Sequence, residues 1–175
     1  VAEELDPLSP ALTANIAYAC SRRGDFVGAQ KQLDKLKELD TGNRFYDFFM
    51  ALMSEYKGDF GSAVKHTEAA MRSNSDNQNL LSSLGFYYGR LGRPEKAREV
   101  LDRLEKLPED SFGRSFKIAI VYAGLVDLDN AYRYFELAFK ERSILFRVLR
   151  YSNFDPRVRE DPRFPKLFEM AKLRL

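Results

Sequence analysis

Residues 78–111 read QNLLSSLGFYYGRLGRPEKAREVLDRLEKLPEDS. Leu81, Leu84, Gly85 and Tyr88 recur there at helical spacing, a turn follows at Gly92-Arg93-Pro94, and Ala97, Leu101 and Leu104 resume the spacing beyond it. Two apolar stripes separated by a glycine turn predict an antiparallel pair of helices whose inward faces meet. Gly92 supplies the left-handed residue that ends the first helix, and Pro94 fits the first turn of the second, where no backbone donor is lost. Gly85 set against Ala97 permits a crossing at the close end of the roughly 8 to 10 Å range of helix pairs.

Outward from this stretch the turn recurs. Gly24-Asp25-Phe26, Gly58-Asp59-Phe60, Gly92-Arg93-Pro94 and Val126-Asp127-Leu128 follow one another at a constant 34 residues, without insertion. Ala29, Ala63, Ala97 and Ala131 lie at one fixed offset beyond these turns, and Ala17, Ala51, Gly85 and Ala119 at one fixed offset before them. A period of this length marks supersecondary units that stack on their neighbours, here 10–43, 44–77, 78–111 and 112–145. Asp25 and Asp59 are placed to cap the second helix of their units. Asp47 and Thr67 fall where the stripe predicts apolar residues, and Val126 where the turn glycine belongs, so these places are expected to be looser or kinked.

The unit carrying Leu84-Gly85, Tyr88, Gly92, Ala97 and Leu104 resembles a tetratricopeptide repeat. The resemblance covers residues 10–145. It implies an all-α, right-handed superhelical solenoid of about four antiparallel helix pairs. Residues 1–9 read as the remnant of a preceding unit, and together with Val1 in place of a starting Met they suggest a fragment of a longer protein. An array opened at that edge would expose an apolar flank, with self-association as a consequence. Residues 146–175 read as a helical cap: a short apolar helix over 143–151, Pro156 and Pro162 as punctuation, and a last helix whose Phe164, Leu167, Phe168, Met170 and Ala171 cover the fourth unit. The stretch from Phe154-Asp155-Pro156 to Asp161-Pro162-Arg163-Phe164 is similar to the tail that closes tetratricopeptide arrays in bacterial multidomain signalling proteins.

Composition narrows the class of function. Lys and Arg together number 28 against 26 Asp and Glu, so the net charge of +2 gives no global attraction to nucleic acid or to an acidic membrane. No apolar run nears the roughly 18 to 20 residues of a membrane span, and no signal peptide opens the chain, which suggests a cytoplasmic protein. One histidine, His66, and one cysteine, Cys20, are too few for a structural zinc site. His66 reads as a partly exposed surface residue and Cys20 as a small core residue. With no glycine-rich phosphate loop either, the sequence predicts no metal, no cofactor and no catalytic residue. Arg142, Arg147, Arg150, Arg157, Arg159 and Arg163 are offset by nearby acids and read as a solvated cap with local ion pairs.

On the first helix of each unit a second stripe lies beside the inward one, and in tetratricopeptide arrays that face lines the concave groove. Here it holds Tyr18, then Phe45, Phe48, Leu52 and Glu55 with Phe49 at its border, then Asn79, Ser82 and Phe86, then Phe116 and Ile120. So many rings on a surface stripe predict a contact site for a protein or peptide, or for another domain of the same protein, unless the rings pack between units. The carboxylate clamp of one tetratricopeptide subclass is absent, since Ala14 with Tyr18, Phe49, and Asn79 with Ser83 stand at its positions. Variation from Ala14 through Phe48 and Ser82 to Phe116 argues against a one-base-per-repeat RNA code. The expected role is that of a non-enzymatic interaction scaffold within a larger bacterial signalling or regulatory protein. The alternative is a structural or oligomerisation spacer without a free peptide ligand.

Overall fold

A computed structural model describes residues 9–39, 45–141, 143, 149 and 152–170. Among them the chain forms ten α-helices and no strand. These are α1 (Pro10–Arg22), α2 (Phe26–Leu39), α3 (Tyr46–Lys57), α4 (Phe60–Ser73), α5 (Gln78–Arg90), α6 (Pro94–Glu105), α7 (Arg114–Leu125), α8 (Leu128–Lys140), α9 (Pro156–Arg159) and α10 (Arg163–Met170). Two compact units divide between Asp76 and Asn77. In the first, α1 pairs with α2 and α3 with α4, while α1 and α2 both pack on α3. The second repeats the pattern: α5 pairs with α6 and α7 with α8, α5 and α6 both pack on α7, and α10 closes on α8. The chain is thus an all-α array in which each hairpin packs on the next within its unit, as the 34-residue period requires. The remnant repeat over 1–8, most of the short helix over 143–151, and Ala171 onward lie outside the described residues.

The turns explain the regularity. Gly24, Gly58 and Gly92 have φ of 76°, 77° and 66°. The next amide donates back to the helix just ended, from Asp25 to Cys20 O at 3.0 Å, Asp59 to Ser54 O at 2.9 Å and Arg93 to Tyr88 O at 2.9 Å. The fourth turn keeps this shape instead of kinking. Asp127 donates to Tyr122 O at 3.0 Å, and Val126 is forced to φ 58°, ψ 29°. For a β-branched residue that conformation costs about 1 to 2 kcal/mol, which the surrounding hairpin sustains. Asp25 and Asp59 do cap, accepting from the amides of Gly28 at 2.9 Å and Ser62 at 3.0 Å. The second hairpin is not loosened by its polar residues. Buried Thr67 donates to Ala63 O at 2.8 Å, and Asp47 on α3 meets His66 on α4 at 2.8 Å.

Small residues set how closely the helices approach. Gly85 lies against Val100 of α6 and Val121 of α7: a Cβ there would lie 2.7 Å from one valine methyl and 2.8 Å from the other. A still closer approach joins Gly89 on α5 and Gly124 on α7. A Cβ on Gly89 would lie 2.5 Å from the Gly124 carbonyl carbon, and one on Gly124 would lie 2.5 Å from Phe86 O. Backbone therefore touches backbone between α5 and α7. At the matching repeat positions the first unit has Ser21 and Tyr56, which cannot make that contact.

Candidate functional site

The residues of the predicted concave stripe fall into two groups. In the first unit Tyr18, Phe45, Phe48, Phe49 and Leu52 are half-buried, neither core nor free surface. Their rings form a connected cluster: Tyr18 meets Phe49 at 6.3 Å and Tyr56 at 6.2 Å between centroids, and Phe48 meets Phe49 edge-on at 5.0 Å. Burial, then the hydrogen bond with Tyr18, holds the Tyr56 hydroxyl far above its ordinary range. Arg22, exposed at the end of α1, lies over the Tyr18 ring at 5.5 Å. The cluster thus offers ring edges and faces beside a cation.

In the second unit the stripe is mostly interior. Ser82, Phe86 and Phe116 are buried, Ile120 is half-buried and Asn79 is exposed. Three of the predicted lining residues are therefore core, and the cause is visible. Ser82 donates to Lys117 O at 3.0 Å, and Phe116 packs edge-on against Phe135 at 5.8 Å. Phe86 is covered by Phe154, 5.8 Å away, which also meets Phe135 at 6.4 Å and Phe164 at 6.2 Å. Phe154 is itself buried. Beside it Arg90 Nη1 lies 3.0 Å from Asp155 Oδ2. The tail is latched further along, where the buried Tyr132 hydroxyl donates to Val158 O at 2.5 Å. Arg163 pairs with Asp161 and with Asp129, both at 2.8 Å, and stacks over Tyr132 at 4.5 Å. Hydrogen bonds from the Arg163 side chain draw the Asp161 carboxyl down to about 2, and Arg157 lowers Asp155 in the same way.

The sequence did not single out Lys117 as a buried cation. It donates from Nζ to Gln78 Oε1 at 2.9 Å and to Phe112 O at 2.5 Å, and lies over the exposed Phe112 ring. Desolvation lowers its pKa below the ordinary 10.5. Its apolar neighbours Phe116 and Ile118 gave no sign of this, because a lysine beside the stripe, at the repeat position of Phe49, carries no mark in the sequence of facing inward. His66 is engaged by Asp47 and by the edge of Tyr46. Half-buried Cys20 has its thiol pushed up, first by burial and then by Asp25. Among the described residues no three His, Cys, Asp or Glu side chains gather as a metal site. No helix among them is long and apolar enough to cross a membrane.

No family profile matches the chain. Among curated proteins it is similar to the human interferon-induced protein with tetratricopeptide repeats 2, with 28% identity over 117 residues. The match takes in 62% of this chain and 25% of that protein, so the chain spans about a quarter of the length of the curated relative it matches. Consecutively packed hairpins, glycine turns at a 34-residue period and this relative agree on tetratricopeptide-like repeats.

Proposed function

We propose that this chain is a non-enzymatic protein-interaction scaffold that takes a protein or peptide, or another domain of its own protein, on the inner face of its repeats. The observation that supports it best is the half-buried ring cluster of Tyr18, Phe48 and Phe49 beside Arg22. Burying a partner's apolar anchors there supplies roughly 25 cal/mol per Å² before ordering costs are subtracted. In this reading the units 10–43, 44–77, 78–111 and 112–145 form the scaffold and 146–175 its cap. The tail from Phe154 to Phe164 supports a place at the C-terminal end of a larger bacterial signalling or regulatory protein.

The test is a pair of variants read for both binding and folding. Phe48→Ala with Leu52→Ala should weaken capture of peptides from an aromatic-rich library by about tenfold while helical content stays within a few per cent. Loss of the helical signal would assign these side chains to the core and favour the spacer role. Phe86→Ala is no substitute, because its ring is interior.

A further inference from the structure

Among the described residues the two most exposed large apolar side chains are Val27, 84% exposed on α2, and Phe112, 65% exposed just ahead of α7. The repeat asks for neither. The positions matching Val27 one, two and three periods on hold Gly61, Glu95 and Asp129, and those matching Phe112 hold Pro10, Arg44 and Gln78. A lone apolar residue in solvent is ordinary on a protein surface. What sets these two apart is what surrounds them.

Val27 borders an open groove of about 520 Å³ on the first unit, whose other lining residues are Phe26, Gln30, Lys31, Asp34 and Lys57. Lys57 lies over the half-buried Phe26 ring at 5.4 Å, and Asp34 accepts from the Gln30 amide at 2.9 Å. The groove thus joins two apolar side chains to two exposed ammonium groups. Phe112, on the second unit, is held out rather than left loose. Ser111 donates to Pro108 O at 3.0 Å, the Arg114 amide donates to Ser111 O at 3.0 Å, and buried Lys117 donates from Nζ to Phe112 O at 2.5 Å. Residues 107–113 carry two exposed carboxylates, Glu109 and Asp110, and no cation. One surface presents a fixed ring with negative charge, and the other presents apolar side chains with positive charge.

We propose that a second copy of this chain fills the groove: Phe112 of one copy inserts against Phe26 and Val27 of the next, with Glu109 and Asp110 facing Lys31 and Lys57. A loop fixed before contact loses little freedom on docking, which favours so small a contact. One ring and one short loop bury less than the roughly 1,200 Å² of stable interfaces, so the association is weak and transient. Groove and loop are different surfaces, so the contact is head-to-tail and leaves a groove and a loop open at the ends of any unclosed assembly. It uses none of the inner-face rings, so it goes beyond the scaffold reading and stands or falls separately from it.

The test is sedimentation of the full chain across roughly 0.01 to 1 mM, the range of a weak interface. Weight-average mass should rise with concentration and pass that of two copies, and should rise less in high salt because the charged groups are exposed. Val27→Asp and Phe112→Ser should each weaken self-association at least about tenfold, since each removes one half of the apolar contact. Both side chains stand in solvent, so both variants should keep wild-type helicity. Mixed together, the two variants should associate again, because one keeps its loop and the other its groove, and should stop at a one-to-one complex. Glu109→Lys with Asp110→Lys should weaken association about threefold to tenfold, and adding Lys31→Glu with Lys57→Glu to the same chain should restore it. Unaltered chain that keeps the mass of one copy up to about 1 mM would overturn the proposal. So would self-association that survives Phe112→Ser, which would put the contact on another face. Variants that stay apart when mixed would overturn it too, because a head-to-tail contact needs only one intact loop and one intact groove.

Discussion

The inner faces of the two units start from the same repeat positions and end differently. In the second unit Gly89 and Gly124 let α5 and α7 touch backbone to backbone, and Phe154 then covers Phe86. In the first, Ser21 and Tyr56 stand at the glycine positions, and rings at the matching sites remain half-exposed. A ring on this stripe is therefore neither core nor surface by its position in the repeat. It becomes core when the chain itself supplies a neighbour to bury it.

The largest effect separating the two faces is expected at the covering ring. Phe154→Ala removes a buried side chain touching three other rings and should destabilise the second unit by about 3 to 5 kcal/mol. Tyr18→Ala in the first unit, losing a half-exposed ring, should cost about 1 kcal/mol. Chemical denaturation of both variants checks the order, and equal losses would erase the distinction. Next comes the backbone contact. Gly124→Ala places a methyl against Phe86 O and should cost about 1 to 3 kcal/mol, whereas Ser21→Ala, at the position matching Gly89, should cost no more than about 1.

Acid offers a smaller handle. Asp155 and Asp161 hold their protons more weakly in the folded tail than in the unfolded chain, where the ordinary value is 3.8. Their stabilisation is present above pH 4 and is lost as pH falls toward about 2, the folded value of Asp161. Each pair is at least partly exposed and screened by solvent, so the loss is small. Hydrogen exchange should therefore show α9 and α10 loosening between pH 4 and 2 ahead of α5 and α7. Asp59, also lowered, gives the first unit one capping carboxylate of the same sign. The smallest expected change is a gain. Val126→Gly relieves the left-handed valine and should raise thermal stability by up to about 1 kcal/mol, since glycine's added freedom in the unfolded chain offsets part of the relief.

Much of the fold was legible because it is local. The turn glycines, capping Asp25 and Asp59, and Pro94 act within a few residues of themselves, and alanines at constant offsets report where helices must meet. The strain at Val126 was half legible: the missing glycine could be seen, but whether the turn or the residue would yield depends on how firmly α7 and α8 are held together. Gly85 was legible as a place of close approach, but that α7 crowds it through Val121 as closely as α6 does through Val100 needed the packed chain.

The candidate site was legible as a stripe and not as a surface. Periodicity alone places Tyr18, Phe48, Phe86 and Phe116 in register, because side-chain direction on a helix follows from spacing. Which of them meet water was decided by residues far away in sequence: Phe154 and Asp155 reaching back to Phe86 and Arg90, and Lys117 turning inward to Gln78 and Phe112. Burial is a property of everything that comes near an atom. The sequence states the helices and their faces, and only the packed chain decides which face is already occupied.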